Sequence, residues 1–63
     1  MTQKELAYFE DAIGHEGNII QIIDETLKNL EDANLVSFMQ EELNCHKNLK
    51  ATLLTKLKEK ANG

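Results

Sequence analysis

The sequence predicts an all-α protein, an antiparallel hairpin of two long helices that dimerises into a four-helix bundle. Two observations predict the hairpin. Apolar residues recur at alternating steps of three and four along most of the chain, and one polar stretch near the middle interrupts them. A second apolar stripe on each helix predicts the dimer, because a single hairpin cannot cover both stripes.

The first helix is predicted over about residues 3–30. Thr2 and Glu5 have the spacing of a capping box, in which a hydroxyl and a carboxylate each accept a hydrogen bond from a free backbone N–H. We use the term seam for the line of residues along which the two helices contact each other. Glu16 is the single polar interruption of the first seam. The apolar members of the first seam are predicted to be Leu6, Phe9, Ile13, Ile20, Ile23, Leu27 and Leu30.

The turn is predicted at about residues 31–33 and the second helix at about 34–61, so that residues 1–63 form one domain. Asp32 or Asn34 can cap the second helix. The lysines near its end are favourable beside a helix C-terminus. Its seam is predicted to contain Leu35, Met39, Glu42, His46, Leu49 and Leu53. The seam is widened by neighbouring apolar residues, which are Val36, Phe38, Leu43, Leu54 and Leu57.

A second apolar stripe lies beside the seam of each helix. On the first helix it contains Tyr8, Ala12, Ile19 and Ile22. On the second it contains Phe38, Cys45 and Thr52, or else Val36, Leu43 and Leu57. A chain of 63 residues buries only about 60% of its unfolded surface and often needs a partner for stability. A homodimer that buries one stripe of each copy is therefore expected.

Composition excludes several classes of protein. A single cysteine, Cys45, cannot form a disulfide within the chain, and its expected role is that of a small buried apolar residue. The net charge of -4 disfavours nucleic acid as a partner. No apolar run is long enough for a signal peptide or a membrane span, so a cytoplasmic protein is expected. Phosphate-binding loops and hydrolase motifs are absent from the sequence, so we expect no enzymatic activity.

Three polar residues stand on the predicted seams: Glu16, Glu42 and His46. Because residues that face each other across the hairpin should have numbers summing to about 63, Glu16 is expected level with His46 or Lys47. A dimer would then bring two carboxylates and two imidazoles into the bundle core. These residues either bind a transition metal, as facing Glu and His residues do in di-iron bundles, or form a hydrogen-bonded polar layer that fixes helix register.

Three neighbours of Glu16 bear on this candidate site. His15 is either a third metal ligand or a half-buried ring with an ordinary hydrogen bond. Gly14 and Gly17 each cost about 1 kcal/mol relative to alanine within a helix. We therefore expect them to permit a close helix approach or a π-bulge, or else simply to loosen the first helix.

The segment from Glu5 to Glu16, ELAYFEDAIGHE, resembles the short members of the coat F-type spore coat proteins of endospore-forming bacteria. Leu30-Glu31-Asp32 and the single histidine of the second helix extend the resemblance. It implies a ferritin-like helical bundle without established catalysis, located in the mother-cell cytoplasm or the spore coat, with other coat proteins as partners. The residues that match the pattern are Glu10, His15, Glu16 and His46, whereas Glu42 and Cys45 are not part of it. Longer family members have four helices, so this chain should reach that architecture by dimerising.

Three functions are compatible with these features, and we favour the first. It is a non-enzymatic structural or assembly protein related to the spore coat, without a cofactor. The second is a ferritin-like protein that binds iron or zinc. Its ligands would be drawn from Glu16, His46, His15, Glu42 and Glu10. The third is a small regulator that resembles the sporulation aspartyl-phosphatase hairpins, whose Ser-Gln-Glu-Leu-Asp signature is absent; the nearest stretch is Ser37–Glu41.

Overall fold

The computed structural model describes residues 1–62 and leaves Gly63 outside the described part. It contains two α-helices, α1 (Gln3–Leu27) and α2 (Ala33–Asn62), which pack against each other as an antiparallel hairpin. Over residues 1–62 no strand is present. The Cα atoms extend over 46 × 15 × 11 Å. The predicted all-α hairpin is confirmed.

The start of α1 follows the predicted capping box. The Glu5 backbone N–H donates to the Thr2 hydroxyl at 3.0 Å, and the Thr2 backbone N–H donates to the Glu5 carboxylate at 2.8 Å. The hydrogen bonds from the Thr2 backbone and then from its hydroxyl lower the pKa of Glu5. Since the lowered pKa favours the ionised carboxylate, this contribution to stability is present at neutral pH and is lost as the pH falls through the pKa of Glu5.

The first helix ends at Leu27, so the predicted end at residue 30 is wrong. Asn29 accounts for the earlier end, because its side-chain amide donates to the Glu25 carbonyl at 2.9 Å and its backbone N–H donates to the Thr26 carbonyl at 3.0 Å. Both contacts occupy carbonyls of the last turn and close the helix. Asp32 then caps α2 by accepting from the Leu35 backbone N–H at 3.0 Å.

The seam of α2 contains Met39, His46 and Leu53 as predicted, but it lies one residue after the predicted positions Leu35, Glu42 and Leu49. Leu35 and Leu49 are 51% and 43% exposed, whereas Leu43 is only 5% exposed. Two neighbouring stripes of α2 are similarly apolar, so periodicity alone could not decide which one faces α1. The least exposed residues of α2 are Val36, Met39, Glu42, Leu43, His46, Lys50, Leu53 and Leu57.

Most of the exposed large apolar side chains of α1 and α2 lie on one side of the hairpin, whereas Leu6 and Leu54 lie elsewhere. Those on the common side each stand one residue before a seam position, and in antiparallel helices this offset turns both stripes towards the same side. Tyr8, Ile22 and Phe38 are 62%, 63% and 56% exposed. We define the apolar face as Tyr8, Ile19, Ile22, Leu35, Phe38 and Leu49. The opposite, polar face carries residues one position after the seam, among them Gln21, Asp24, Gln40, Asn44 and Lys47.

The glycines of α1 do not serve a close helix approach. A Cβ atom at Gly14 would meet nothing within 4 Å, and one at Gly17 would meet only the Lys50 ammonium at 3.5 Å. Both residues lie in regular α-helix. The expected close approach and π-bulge are therefore wrong.

Neither α1 nor α2 is long and apolar enough to cross a membrane, over the residues that the structure describes.

Candidate functional site

The centre of the hairpin holds a hydrogen bond between its two seams. His46 Nδ1 lies 2.5 Å from Glu16 Oε2, and the two side chains are 25% and 12% exposed. When Glu16 is ionised its carboxylate can only accept, and His46 Nδ1–H is then the donor. The helix register predicted from the residue numbers places these two residues at about the same level, and the structure shows them in contact.

Glu42 lies on the other side of the same imidazole. Its Oε2 atom is 3.7 Å from His46 Nε2, which is longer than a hydrogen bond, and its side chain is 43% exposed. Glu42 stands one helical turn before His46, so the two share one side of α2. It was predicted on the seam, whereas it occupies the edge between the seam and the apolar face.

Glu16, His46 and Glu42 therefore form a row that runs from the seam towards the apolar face. We call this row the central cluster. When the imidazole is neutral, Nδ1–H is directed at Glu16 and the Nε2 lone pair faces the Glu42 carboxylate. Two acceptors then face each other across 3.7 Å with no donor between them, which is an arrangement suited to a cation.

The structure does not bring the other candidate ligands into this cluster. Glu10 is exposed and lies on the polar face, more than a turn before Glu16 on α1. His15 is exposed on the stripe of the apolar face. Within residues 1–62, no three His, Cys, Asp or Glu side chains converge well enough to hold a metal ion in one chain.

Two further features lie near the site or at the end of the hairpin. Cys45 is a free, exposed thiol on the apolar face, beside Glu42 and His46, and its predicted burial is wrong for the single chain. A shallow cleft at the open end of the hairpin is lined by Met1, Glu5, Tyr8, Phe9 and Lys60. It contains no facing set of catalytic groups.

One residue of the central region escaped the sequence analysis. Lys50 is half-buried on the seam of α2, and its ammonium lies near Gly17. The signal was its seven-residue spacing from Leu43 and Leu57, which places it on the true seam. A long side chain can cover apolar surface there while its charged end stays in water.

Comparison with protein-family models, with curated proteins and with solved structures finds no match to this chain.

Proposed function

We propose that this protein is a non-enzymatic structural or assembly protein that acts as a homodimeric four-helix bundle in the spore coat of an endospore-forming bacterium. The observation that carries the proposal is the apolar face. Tyr8, Ile22, Leu35, Phe38 and Leu49 are each more than two-fifths exposed on one side of the hairpin. An apolar patch of this extent on a small chain is typical of a protein interface.

The accessible surface of the single chain supports a partner of its own size. The chain exposes 4905 Å² at a mass of 7.2 kDa. A compact monomer of that mass exposes about 4100 Å². The excess of about 800 Å² equals the area that each partner contributes to a standard protein–protein interface.

The small core also supports association. Within the described residues only Ile23 and Leu43 are buried apolar residues. Hydrophobic burial is the main favourable contribution to folding, so two buried apolar side chains leave a single hairpin only marginally stable. Packing the apolar faces of two copies together would complete the core of both, which is why we choose a second copy as the partner.

The assignment to the spore coat rests on the resemblance in the segment from Glu5 to Glu16. On this proposal the protein is made in the mother cell and assembles there or on the coat with other coat proteins. Immunoblots of purified spores and of mother-cell lysate test this part. Recovery of the protein from vegetative cells alone would contradict it.

Substitution of Phe38 by aspartate tests the dimer. A charge on the apolar face should weaken association by at least about 100-fold, because a carboxylate would be buried without a partner. Sedimentation equilibrium at micromolar concentration measures the effect. The matched control is Leu54→Asp, which places the same charge on an exposed leucine of the polar side of α2.

The wild-type protein and Leu54→Asp should both sediment as dimers, whereas Phe38→Asp should sediment as a monomer. A wild-type monomer at these concentrations, or equal loss of association in both variants, would contradict the proposed bundle. Circular dichroism of each sample reports whether helix content is retained.

Metal binding is a second candidate function. It is favoured by the orientation of His46, whose Nδ1 faces the Glu16 carboxylate while Nε2 faces the Glu42 carboxylate and is free to bind a metal when the ring is neutral. Histidines that bind metals commonly have this arrangement, in which a second carboxylate fixes the ring and its tautomer.

A further inference from the structure

The central cluster supplies half of a metal site, and the proposed dimer can supply the other half. From this geometry we infer that one zinc ion is bound on the two-fold axis of the homodimer by Glu42 and His46 of each copy. Glu16 does not bind the ion but positions the imidazole. This inference rests on the proposed dimer.

The distance between the two ligand atoms agrees with coordination of one ion. Zinc binds histidine nitrogen and carboxylate oxygen at 2.0–2.2 Å in tetrahedral sites. Two ligands on one tetrahedral ion then stand about 3.3–3.6 Å apart. His46 Nε2 and Glu42 Oε2 are 3.7 Å apart in the single chain, so only a small movement is needed.

The number of ligands explains why one chain is insufficient. Glu42 and His46 give two donors, and among residues 1–62 of a single chain no three His, Cys, Asp or Glu side chains converge on one ion. A two-fold axis doubles any group beside it, so two copies give the four ligands of a closed tetrahedral site.

The position of Glu42 decides between two ways of joining the apolar faces. If the two-fold axis runs along the hairpin, α2 lies on the partner's α1. Glu42 would then be buried without compensation against Ile19 and Ile22 of the partner subunit. If the axis runs across the hairpin, α2 lies antiparallel on the partner's α2, with the two turns at opposite ends.

The second arrangement places both Glu42–His46 pairs at the axis, near the middle of the hairpin's length. Without an ion, two carboxylates would meet there inside an apolar interface, which is unfavourable. A divalent cation removes this repulsion and uses both free Nε2 atoms. The same arrangement brings Cys45 of the two copies close together, because it lies between Glu42 and His46.

Native mass spectrometry of the metal-free protein, before and after addition of zinc, tests the inference. We expect a dimer in both samples and one zinc ion per dimer in the second. Isothermal titration should give half an equivalent of zinc per chain. Glu42→Gln and His46→Gln should each weaken zinc binding by at least about 100-fold, and Glu16→Gln by about 10–100-fold, as is typical of a residue that orients a ligand.

Two control variants separate this site from its neighbours. Glu41→Gln removes an exposed carboxylate beside Glu42, and Cys45→Ser removes the thiol beside His46. Both should bind zinc like the wild-type protein. Loss of zinc in Cys45→Ser would overturn the assignment of Glu42 and His46 as the complete ligand set. Circular dichroism checks that each variant remains helical.

The outcomes distinguish the site from the dimer. A metal-free dimer that takes up no zinc overturns the site and leaves the proposed bundle standing. A monomer that binds one zinc ion overturns the dimer and the shared site. A monomer that binds no zinc overturns the dimer, the shared site and zinc binding itself. A short bismaleimide reagent gives an independent measure, because it should join the two Cys45 thiols only if α2 lies on the partner's α2.

Discussion

At the scale of single residues, His46 connects the seam with the surface. One ring nitrogen is held by Glu16 inside the hairpin, and the other is directed towards Glu42 at the edge of the apolar face. Polar groups in a seam cost stability unless each finds a partner, and Glu16 finds its partner in Nδ1–H. The pair therefore joins α1 to α2 at the register that the structure shows.

Substitution of His46 by leucine should destabilise the protein by about 1–3 kcal/mol, because the mostly buried Glu16 carboxylate loses its donor. The double variant Glu16→Leu, His46→Leu should regain most of this loss, since two apolar side chains replace the pair. Urea denaturation at fixed protein concentration measures both. Asn44→Leu, an exposed change on α2, should shift stability by less than about 0.5 kcal/mol.

Equal stability of the single and the double variant would contradict this account of the pair. The contact itself could be predicted to within one residue, because antiparallel pairing at equal rise places Glu16 level with His46 or Lys47. The position of Glu42 could not be predicted from the sequence. Its place at the edge of the face depends on which of two apolar stripes faces α1, and periodicity does not distinguish stripes that lie one residue apart.

At the scale of elements, the helix ends follow local chemistry. Thr2 with Glu5 and Asp32 with Leu35 mark the two N-termini. The first could be predicted outright and the second as one of two candidates, Asp32 or Asn34, because capping residues act on the nearest backbone. The C-terminus of α1 could not be predicted as well. Leu30 continues the apolar pattern and remains half-buried after the helix has ended, because the contacts of Asn29 close the helix earlier.

Substitution of Gly14 by alanine should stabilise the protein by about 0.5–1 kcal/mol. The added Cβ meets nothing within 4 Å, and alanine restricts the unfolded chain more than glycine does. Thermal and urea denaturation measure the gain. A loss of stability would indicate that α1 must bend or open at this point.

At the scale of the whole molecule, the hairpin has two unlike sides and very little interior. Its fold class was predictable because it depends only on helix periodicity, one break and the lengths of the two segments. The shape of the assembly is a proposal, because the relative position of two copies is not encoded in the pattern of one.

Stability should depend on protein concentration if the hairpin and the dimer form together. A tenfold increase in concentration should add about 1.4 kcal/mol to the free energy of unfolding of the dimer at a given temperature. Thermal denaturation followed by circular dichroism at about 2, 20 and 200 µM protein should therefore give a Tm that rises with concentration. A constant Tm would indicate that the single hairpin is stable alone.

The apolar face also affects the lifetime of the protein in the cell. If the protein dimerises as proposed, the apolar face of a newly made chain is exposed to water until the chain binds another copy. At low concentration of the protein, chains therefore spend more time partly unfolded. Proteases degrade such chains faster than paired ones. Synthesis in a short burst would favour survival, whereas slow synthesis of the same total amount would leave less protein.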